Sequence, residues 1–544
     1  MKKPLRFLVK TLLWLAVSFL AFWFTLPPIN LRSREFWTYF CFCVIAAVVI
    51  SAFSDIFIFI KDKFFNKTYV QKNLKESFKS FSAPIKIGAL TVLAVIVLSI
   101  LASVIGSQFF NASRYNNLLQ ITDGDFSADV SEITMEQIPV VDRDTAMRLG
   151  QRKLGEMADL VSQFEILPDY TQINYQGKPV RVTPLAYGDA IKWLNNQKNG
   201  VPAYITVDMT TQETSLVRLN QGIKYSESEY FMRNIYRYLR FKYPTKIFDT
   251  VSFEIDENGT PFFVASTVTY KIGFYSGKDI GGAVLVNAVN GEHQYYNLNE
   301  IPSWVDQVFD SNLIIEQLVY NGKYRSGYLN SIFGQKGVLQ PTDGYNYLAI
   351  NDDVYLYTGI TSVTSDESNV GFVLCNLRTK ETKYYKIPGA EEYSAMGSAE
   401  GQVQHLGYSS TFPLLLNVNG RPSYFMSLKD SAGLVKMYAF VDVQQYQIVG
   451  TGTSVSAAKT DYINRLKEDT SVENTETTTE ITGEVVKIAT AVKGGETCYY
   501  IQLDGSEEIY ILPVSLSEKL VFLQVGNTIT LNVSGTGSVL SVNF

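Results

Sequence analysis

Three long apolar stretches lie near the N-terminus, at residues 5–26, 36–60 and 85–106. Each has about the 20 residues that a helix needs to cross a bilayer. After residue 140 the pattern changes to short segments in which apolar and polar residues alternate, which is typical of β-strands. The pattern predicts three transmembrane helices followed by a region rich in antiparallel sheet.

The alternating segments come in pairs around turn sequences. FEIDENGTPFFVAS begins at Phe253, and Asn258-Gly259 supplies its turn, which is a strong hairpin signal. Related hairpins surround Gly177, Asp352 and Gly420. A second hairpin follows each of them, and its polar turn starts at one of four equivalent positions, Asp208, Asn287, Asn376 and Asp442. The same pair of hairpins therefore occurs four times.

A segment with helical spacing of apolar residues precedes each pair of hairpins. Asp142 or Asp144 is placed to cap the first helix, and Pro302 suits the first turn of the third. Because a hairpin is marginal alone, a helix laid over two hairpins makes a small two-layer α+β unit. The predicted boundaries are a juxtamembrane linker at 108–141 and four repeats, at 142–220, 221–300, 301–388 and 389–453.

The C-terminal part differs from the repeats. A helix and a Thr-rich linker occupy 454–480, and five short strands follow in 481–544, with LSEKLVFL as a helical turn between the third and fourth. This order resembles an OB-like barrel, and an SH3-like barrel would give a similar strand pattern. The fold class is therefore three membrane helices, α+β repeats and a small all-β barrel.

The repeats resemble PepSY domains. The sequences RDTAMRLGQRKLG, VDMTTQET and VNAVNGEHQYY carry the resemblance, which covers roughly residues 142–465 in outline. One repeat alone has the full Asn-Gly-Glu turn, and the third lacks the glycine of the first hairpin. The resemblance implies an extracytoplasmic, membrane-tethered module that binds or inhibits partners, often in relation to peptidases or the cell wall, without catalysis.

Charge is distributed unevenly along the chain. The first 107 residues carry 13 Lys and Arg against four Asp and Glu, and the remainder carries 34 against 49. Lysines cluster at the N-terminus and between the second and third spans, so the positive-inside rule places both in the cytoplasm and residues 108–544 outside it. The first span lacks a small-residue cleavage site, so we expect a retained anchor. Membrane lipid is thus one expected partner.

Two features near the cytoplasmic side leave alternatives open. Asp55 lies within the second span close to Lys61, so it is either a snorkelling interfacial residue or a contact for an ion or partner. The loop KDKFFNKTYVQKNLKESFKSF either lies on anionic lipid as an amphipathic segment or is an ordinary positive-inside loop.

No catalytic, cofactor-binding or metal-binding residue is predicted, and no cofactor. His293 and His405 lack a neighbouring nucleophile motif, so we interpret both as structural. The acidic body argues against nucleic acid as a partner, even at the aromatic-rich barrel. Cys375 and Cys498 leave a disulfide open. Four carboxylates lie close together just after the third span, at Asp123, Asp125, Asp129 and Glu132. They could bind calcium, but a solvated linker is the preferred interpretation.

The expected function is that of a membrane-anchored extracytoplasmic binding, scaffolding or regulatory protein of the cell envelope, non-enzymatic, with a protein or cell-wall partner. The main alternative is an accessory subunit that docks through its three helices onto a membrane transporter or protease. A third class is an enzyme that uses carboxylates alone, such as a glycosidase, whose paired acids only a structure can place.

Overall fold

The computed structural model describes residues 3–51, 83–132, 138–350, 352–363, 365–468, 478–493, 496–506, 508–534 and 538–544. Asp55, the Lys-rich loop that follows it and most of the Thr-rich linker lie outside the described residues. The same holds for the part of the second predicted span beyond residue 51.

The prediction of three long apolar helices is confirmed. They are α1 (Lys3–Thr25), α2 (Arg34–Ser51) and α3 (Ala83–Ile105), and each is long and apolar enough to cross a membrane. α2 lies between the other two: Trp14 Nε1 donates to Cys43 O at 2.8 Å. Gly88 permits the close approach of α3, because a Cβ at that position would lie 2.2 Å from the side chain of Val48.

A structured segment joins these helices to the β-rich region. It consists of α4 (Gln108–Asn116), β1 (Ile121–Asp123) and α5 (Phe126–Asp129). β1 runs parallel to a later strand, with Thr122 opposite Lys383. The structure therefore differs from the expected solvated linker. Leu119 and Phe126 are buried on either side of β1, and their burial holds the segment against the third sheet.

The first sheet follows α6 (Arg143–Gly155), which Asp142 caps by accepting a hydrogen bond from Thr145 N at 2.9 Å. Its antiparallel order is β2-β4-β5-β6, and β3 also pairs with β4. α6 packs on β5 and β6. The elements are β2 (Phe164–Ile166), β3 (Thr171–Tyr175), β4 (Lys178–Tyr187), the short helix α7 (Ala190–Asn196), β5 (Val201–Asp208) and β6 (Thr214–Ile223).

The second sheet follows α8 (Ile235–Lys242) and has the antiparallel order β10-β9-β8-β7. Its strands are β7 (Phe248–Ile255), β8 (Pro261–Ile272), β9 (Ser276–Asn287) and β10 (His293–Asn297).

The hairpin predicted in FEIDENGTPFFVAS is confirmed, since Ile255 lies opposite Pro261. Its loop is wider than a two-residue turn. Gly259 has a φ of +77°, and Asp256 Oδ1 accepts hydrogen bonds from the backbone N of Asn258 at 2.9 Å and of Thr260 at 2.8 Å. The side chain of Asp256 therefore shapes this turn together with Gly259.

The third sheet follows α9 (Ser311–Lys323). Its order is β1-β15-β14-β13-β11, with β12 on β13 and β16 on β14. Its other strands are β11 (Leu339–Pro341), β12 (Asn346–Ile350), β13 (Asp353–Ser362), β14 (Ser365–Asn376), β15 (Thr382–Tyr385) and β16 (Gly389–Ala390).

The prediction that Pro302 occupies the first turn of the third helix is wrong. α9 begins at Ser311, where Asp310 Oδ1 accepts a hydrogen bond from Asn312 N at 2.9 Å. Val305 and Phe309 are buried in the core, and this burial fixes the segment before the helix in an irregular course.

The fourth sheet follows α10 (Glu392–Gln402) and has the order β17-β19-β20-β21, with β18 on β19. Its strands are β17 (Ser409–Ser410), β18 (Leu414–Val418), β19 (Arg421–Lys429), β20 (Val435–Asp442) and β21 (Val449–Gly452). α11 (Val455–Glu468), which the sequence groups with the linker, packs on β20 and β21. Its Tyr462 is fully buried, so α11 is part of this layer.

The four equivalent positions at the second hairpins adopt one local structure. In each, the side-chain Oδ1 accepts hydrogen bonds from the backbone N–H groups two and three residues later, at 2.7–3.1 Å. This is an Asx-type turn, for which Asp and Asn serve equally well. The four residues are Asp208, Asn287, Asn376 and Asp442.

The last five strands form a separate sheet in the order β24-β23-β22-β25-β26. The long β22 pairs with β25 through its first half and with β23 through its second half. The predicted helical turn between the third and fourth strands is confirmed at Glu518–Phe522. The strands are β22 (Thr478–Lys493), β23 (Glu496–Leu503), β24 (Ile509–Pro513), β25 (Thr528–Ser534) and β26 (Val539–Asn543).

The leading strands of the first four sheets converge. β3 contacts β7 of the second sheet and both β12 and β13 of the third, and β12 contacts β18 of the fourth. One apolar core runs through all four sheets, and a second core fills the space around α9 between the second and third. The convergence creates a junction where polar residues from three sheets meet.

Candidate functional site

A cavity of about 480 Å³ lies at the junction of the first three sheets. We name it the junction cavity. Its walls are largely polar, with several charged residues and a smaller apolar part, and its volume lies in the range of small-molecule sites. The polar and apolar residues on which the argument rests are Gln172, Arg181, Ser252, Phe263, Gln307 and Tyr347.

Arg181 is the unusual member of this set. It lies in the middle of β4, opposite Gln172 on β3 and Val207 on β5, and is 6% exposed. Its Nη2 donates to Gln172 Oε1 at 3.3 Å, and its buried Nε has no hydrogen-bond partner. No carboxylate among the described residues forms an ion pair with it. A charged group is thus buried without a counter-ion.

Burial lowers the pKa of Arg181 to about 10, because removal from water disfavours the charged form. The guanidinium still carries its charge at neutral pH. Asp142 and Asp144 favour the charged form of Arg181 through space, without a hydrogen bond to it. Asp142 is itself engaged, since it caps α6 and forms an ion pair with Lys429 at 2.5 Å.

Gln172 adds a second unused donor. Its side chain is 1% exposed, and its Nε2 has no partner while its Oε1 receives Arg181. The backbone O of Gln172 accepts from Gln307 Nε2 at 3.1 Å, which ties β3 to the segment before α9. Two buried donors on adjacent strands therefore lack acceptors, although buried polar groups in folded proteins are almost always paired.

Arg181 also borders a smaller cavity of about 210 Å³, where the first, third and fourth sheets meet. Asp142, Tyr345 and Ser427 line that side. The guanidinium thus stands between two cavities, and a group bound in either one can approach it.

The acidic residues around the junction cavity already have partners. Asp169 pairs with Arg143, and Asp249 pairs with Lys278. Glu227 accepts a hydrogen bond from the Tyr236 hydroxyl, and Asp310 caps α9. None of these carboxylates is held against Arg181.

A pair of carboxyl groups lies directly behind the cavity wall. Glu254 on β7 and Asp306 before α9 are 0% and 1% exposed. Glu254 accepts hydrogen bonds from Ser252 Oγ at 3.0 Å and Gln307 N at 3.2 Å, and both of those residues line the cavity. Burial raises the pKa of Glu254 to about 7. Burial and the nearby Glu254 raise the pKa of Asp306 well above its usual value.

The residues that the sequence singled out lie elsewhere. His293 Nδ1 bonds the Tyr243 hydroxyl at 2.9 Å, and burial, with the neighbouring Lys242, lowers its pKa. His405 lies in the middle of a short 3-10 turn after α10, Gln404–Leu406. Neither histidine lines the junction cavity.

Acidic residues of the segment after α3 form ion pairs with the third sheet and with α11. Asp125 caps α5. Asp129 pairs with Lys383 at 2.8 Å, and Glu132 pairs with Lys459 at 3.0 Å. Asp123 lies in β1. Asp129 and Glu132 thus bind lysines of the third sheet and of α11, whereas Asp123 and Asp125 are exposed, so the four carboxylates do not form one shared cluster.

Cys375 and Cys498 are not joined by a disulfide, and both are buried. Cys375 Sγ accepts a hydrogen bond from Thr382 Oγ1 at 3.2 Å, and burial raises its pKa to about 12. The disulfide that the sequence left open is not formed.

Sequence reasoning missed Arg181, Gln172 and the pair Glu254–Asp306. A signal was present in KPVRVTPLAY, where Arg181 interrupts the run of apolar or small residues that follows Lys178. Glu254 likewise stands between Phe253 and Ile255. A charged residue with apolar neighbours on both sides indicates burial when both faces of a strand are covered.

Comparisons with known proteins add little. No protein-family model matches the chain, and no curated protein matches it. Two solved structures of an apocarotenoid oxygenase from Synechocystis, one a point mutant and one cobalt-substituted, share 9% identity with it. The match covers 70% of this chain and 62% of theirs, with a TM-score of 0.14. The chain thus spans less than two thirds of their length, and a likeness at that score carries no argument.

Proposed function

We propose that this protein is a membrane-anchored, non-enzymatic binding protein of the cell envelope, with residues 108–544 on the extracytoplasmic side, and that the junction cavity is its ligand site. One observation carries the proposal: a buried guanidinium without a counter-ion borders a cavity large enough for a small molecule. A buried unpaired charge destabilises the folded state. Proteins retain such unfavourable features mainly at functional sites.

Contacts at the outer ends of the helices support the membrane arrangement. The backbone N of Ile29, just after α1, donates to Pro244 O at 2.7 Å, and Arg240 Nε donates to Leu26 O at 2.9 Å. On the other side of the bundle, a Cβ at Gly106 would lie 2.5 Å from Ser276 Oγ. α8 and the β8–β9 hairpin therefore rest on the helix ends.

Exposed apolar residues lie beside these contacts. Ring centroids of Phe109 and Tyr328 are 5.2 Å apart, so the start of α4 lies next to the irregular segment after α9. An apolar face continuous with apolar helices fits the bilayer in which those helices would sit. The large exposed side chains of this face are Phe109, Phe110, Leu329, Ile332 and Phe333.

The proposal takes the first four sheets as related PepSY-like units. The shared strand order and the four Asx-type turns at equivalent positions support this assignment. It takes the last sheet as an OB-like barrel, because β22 pairs with both β23 and β25 and the edge strands β24 and β26 contact each other. The PepSY resemblance favours a protein or cell-wall partner.

Burial of the carboxyl pair supports binding over catalysis. Glu254 and Asp306 are the paired acids that a carboxylate enzyme would need, yet both lie behind the cavity wall. A general acid must come within hydrogen-bond reach of its substrate. The other acids at the cavity are engaged in ion pairs, a helix cap or a tyrosine hydrogen bond.

Ligand retention tests the proposed site. The full chain is extracted from its native membranes, and small molecules released on denaturation are identified by mass spectrometry. Thr171→Trp fills the junction cavity, whereas Ser215→Trp adds the same side chain to an exposed position of the same sheet. We expect a molecule that wild type and S215W release and T171W does not. Identical profiles for all three proteins would contradict the proposal.

Proteolysis of intact cells tests the orientation. Protease added outside should degrade residues 108–544 and leave the helices. Protection of the large region in intact cells, followed by degradation after lysis, would overturn the proposed topology.

A second candidate is an accessory subunit that docks through its helices. A groove of about 900 Å³ runs along the three helices and ends at Phe241, and it favours this alternative. Its lining is apolar, with small residues such as Ala47 and Gly88 that allow close helix packing. Crosslinking in native membranes that recovers one stoichiometric membrane protein would favour this candidate. Full function with the three helices replaced by one unrelated anchor would exclude it.

A further inference from the structure

We propose that the ligand of the junction cavity carries an anionic group, a carboxylate or a phosphoryl group, which binds Arg181 and Gln172. The inference rests on the proposed binding function and names the chemistry of the ligand. Arg181 Nε and Gln172 Nε2 are buried donors without an acceptor, and the anionic group would accept hydrogen bonds from them. A guanidinium presents planar donors that match carboxylate and phosphate oxygens, and charge-assisted hydrogen bonds are the strongest kind.

Two other arginines of the same protein, the buried Arg240 and the partly buried Arg378, show what a structural arginine does. Arg240, equally buried, donates to two backbone carbonyls, Leu26 O and Lys246 O. Arg378 makes two hydrogen bonds to the Asp353 carboxylate, at 2.7 and 2.8 Å. These side chains are satisfied within the fold. Arg181 has one hydrogen bond, at 3.3 Å, to a neutral amide.

The apolar residues of the cavity lining indicate the chemistry of the rest of the ligand. Phe253, Phe263 and Pro184 supply apolar wall, and the volume of about 480 Å³ is that of a small organic molecule. We infer an organic acid or a phosphorylated compound whose apolar portion contacts these residues while its anionic end reaches β3 and β4.

The test uses the full chain in detergent and measures its thermal midpoint. Sodium phosphate and sodium acetate are titrated separately at constant ionic strength, with sodium chloride as the reference. Wild type should show a saturable rise with at least one of the two anions. A response to acetate alone identifies a carboxylate ligand, and a response to phosphate alone identifies a phosphoryl ligand.

Three variants assign the response. Arg181→Met should reduce the apparent anion affinity by about tenfold or more, the loss of a charge-assisted hydrogen bond. Without anion, R181M should melt at or above the wild-type midpoint, because it removes an uncompensated buried charge. Arg218→Met, at an exposed arginine of β6 in the same sheet, is the matched control and should respond as wild type does.

Gln172→Glu keeps Arg181 and places a carboxylate where the amide oxygen now lies, 3.3 Å from Nη2. An internal counter-ion should raise the anion-free midpoint and abolish the response to added anion. This variant keeps the test decisive if R181M does not fold.

Two results would overturn the inference: no saturable rise for wild type, or the same rise in wild type, R181M and Q172E. If the anion response fails while T171W still loses a retained molecule, the cavity binds a neutral ligand. In that case the anionic group is excluded and the binding function stands.

Discussion

Glu254 and Asp306 are 52 residues apart in the chain, and their carboxyl groups belong to one buried hydrogen-bond network. Glu254 Oε2 accepts a hydrogen bond from Asp306 N at 2.8 Å, and Asp306 Oδ2 accepts one from Asn174 N at 2.6 Å. Asp352 and Asp353 add negative potential, and Arg378 pairs with Asp353. Three sheets thus surround one cluster of acids, in which Asp306 has fewer hydrogen-bond donors than Glu254 and a pKa raised well above its usual value.

This network predicts that stability falls as the pH rises. Both carboxyl groups have a pKa raised above the usual value of about 4, that of Glu254 to about 7. The folded state therefore binds more protons than the unfolded state between about pH 4 and 7. The stabilisation is complete below pH 4 and is lost as the pH passes 7. The thermal midpoint of the full chain in detergent, measured from pH 5 to 8, checks this.

Asp306→Asn should flatten that dependence. The amide keeps an oxygen for Asn174 N and cannot ionise, so D306N should exceed wild type at pH 8 by about 1–2 kcal/mol and converge with it towards pH 5. Glu254→Gln should destabilise at every pH, because both carboxylate oxygens accept from backbone N–H groups. An unchanged pH profile in D306N would show that Asp306 does not contribute to the pH dependence of stability.

The Asx-type turn predicts a clear order of variants at Asn287. Asn287→Ala removes the acceptor of hydrogen bonds from Val289 N and Asn290 N, at a cost of about 1 kcal/mol. Asn287→Asp should be close to wild type, since Asp208 and Asp442 serve the same turn in other sheets. Thermal midpoints of the two variants measure the difference. Equal midpoints for N287A and N287D would exclude a role for the side chain.

Replacing glycine by alanine is expected to change stability in opposite directions at Gly450 and Gly397. A Cβ at Gly450 of β21 would lie 2.1 Å from Tyr462 N, so Gly450→Ala should push α11 from the sheet and cost about 1–3 kcal/mol. Gly397 lies within α10 with open space around it, and Gly397→Ala should stabilise by about 0.5–1 kcal/mol. Denaturation curves check both signs. A neutral G450A would show that α11 does not pack closely on β21.

The burial of two cysteines predicts slow chemical modification. Cys375 and Cys498 are buried, and burial raises the pKa of Cys375 to about 12, so neither should react quickly with maleimide in the folded protein. After denaturation without reductant, mass spectrometry should find both cysteines labelled. Their absence from the labelled fraction would indicate a disulfide.

Local patterns predicted much of the fold. The apolar lengths of α1 and α3, the hairpin around Gly259 and the helical turn at Glu518–Phe522 each depend on residues close together in the chain. Predictions failed where distant residues decide. The segment after Pro302 is irregular because the core buries Val305 and Phe309, and β1 is a strand because the third sheet offers it an edge.

The sequence alone determined most of the helices and strands and the four equivalent turn positions, because periodicity, caps and turn residues act within a few positions. Only the tertiary structure decided that Arg181 is a buried cation without a counter-ion. Its environment depends on how β3, β7 and β12 pack against one another, across more than 170 residues of chain. Burying a charge destabilises the folded state when packing removes water and no counter-ion replaces it. At Arg181, both conditions result from the packing of three sheets at the junction.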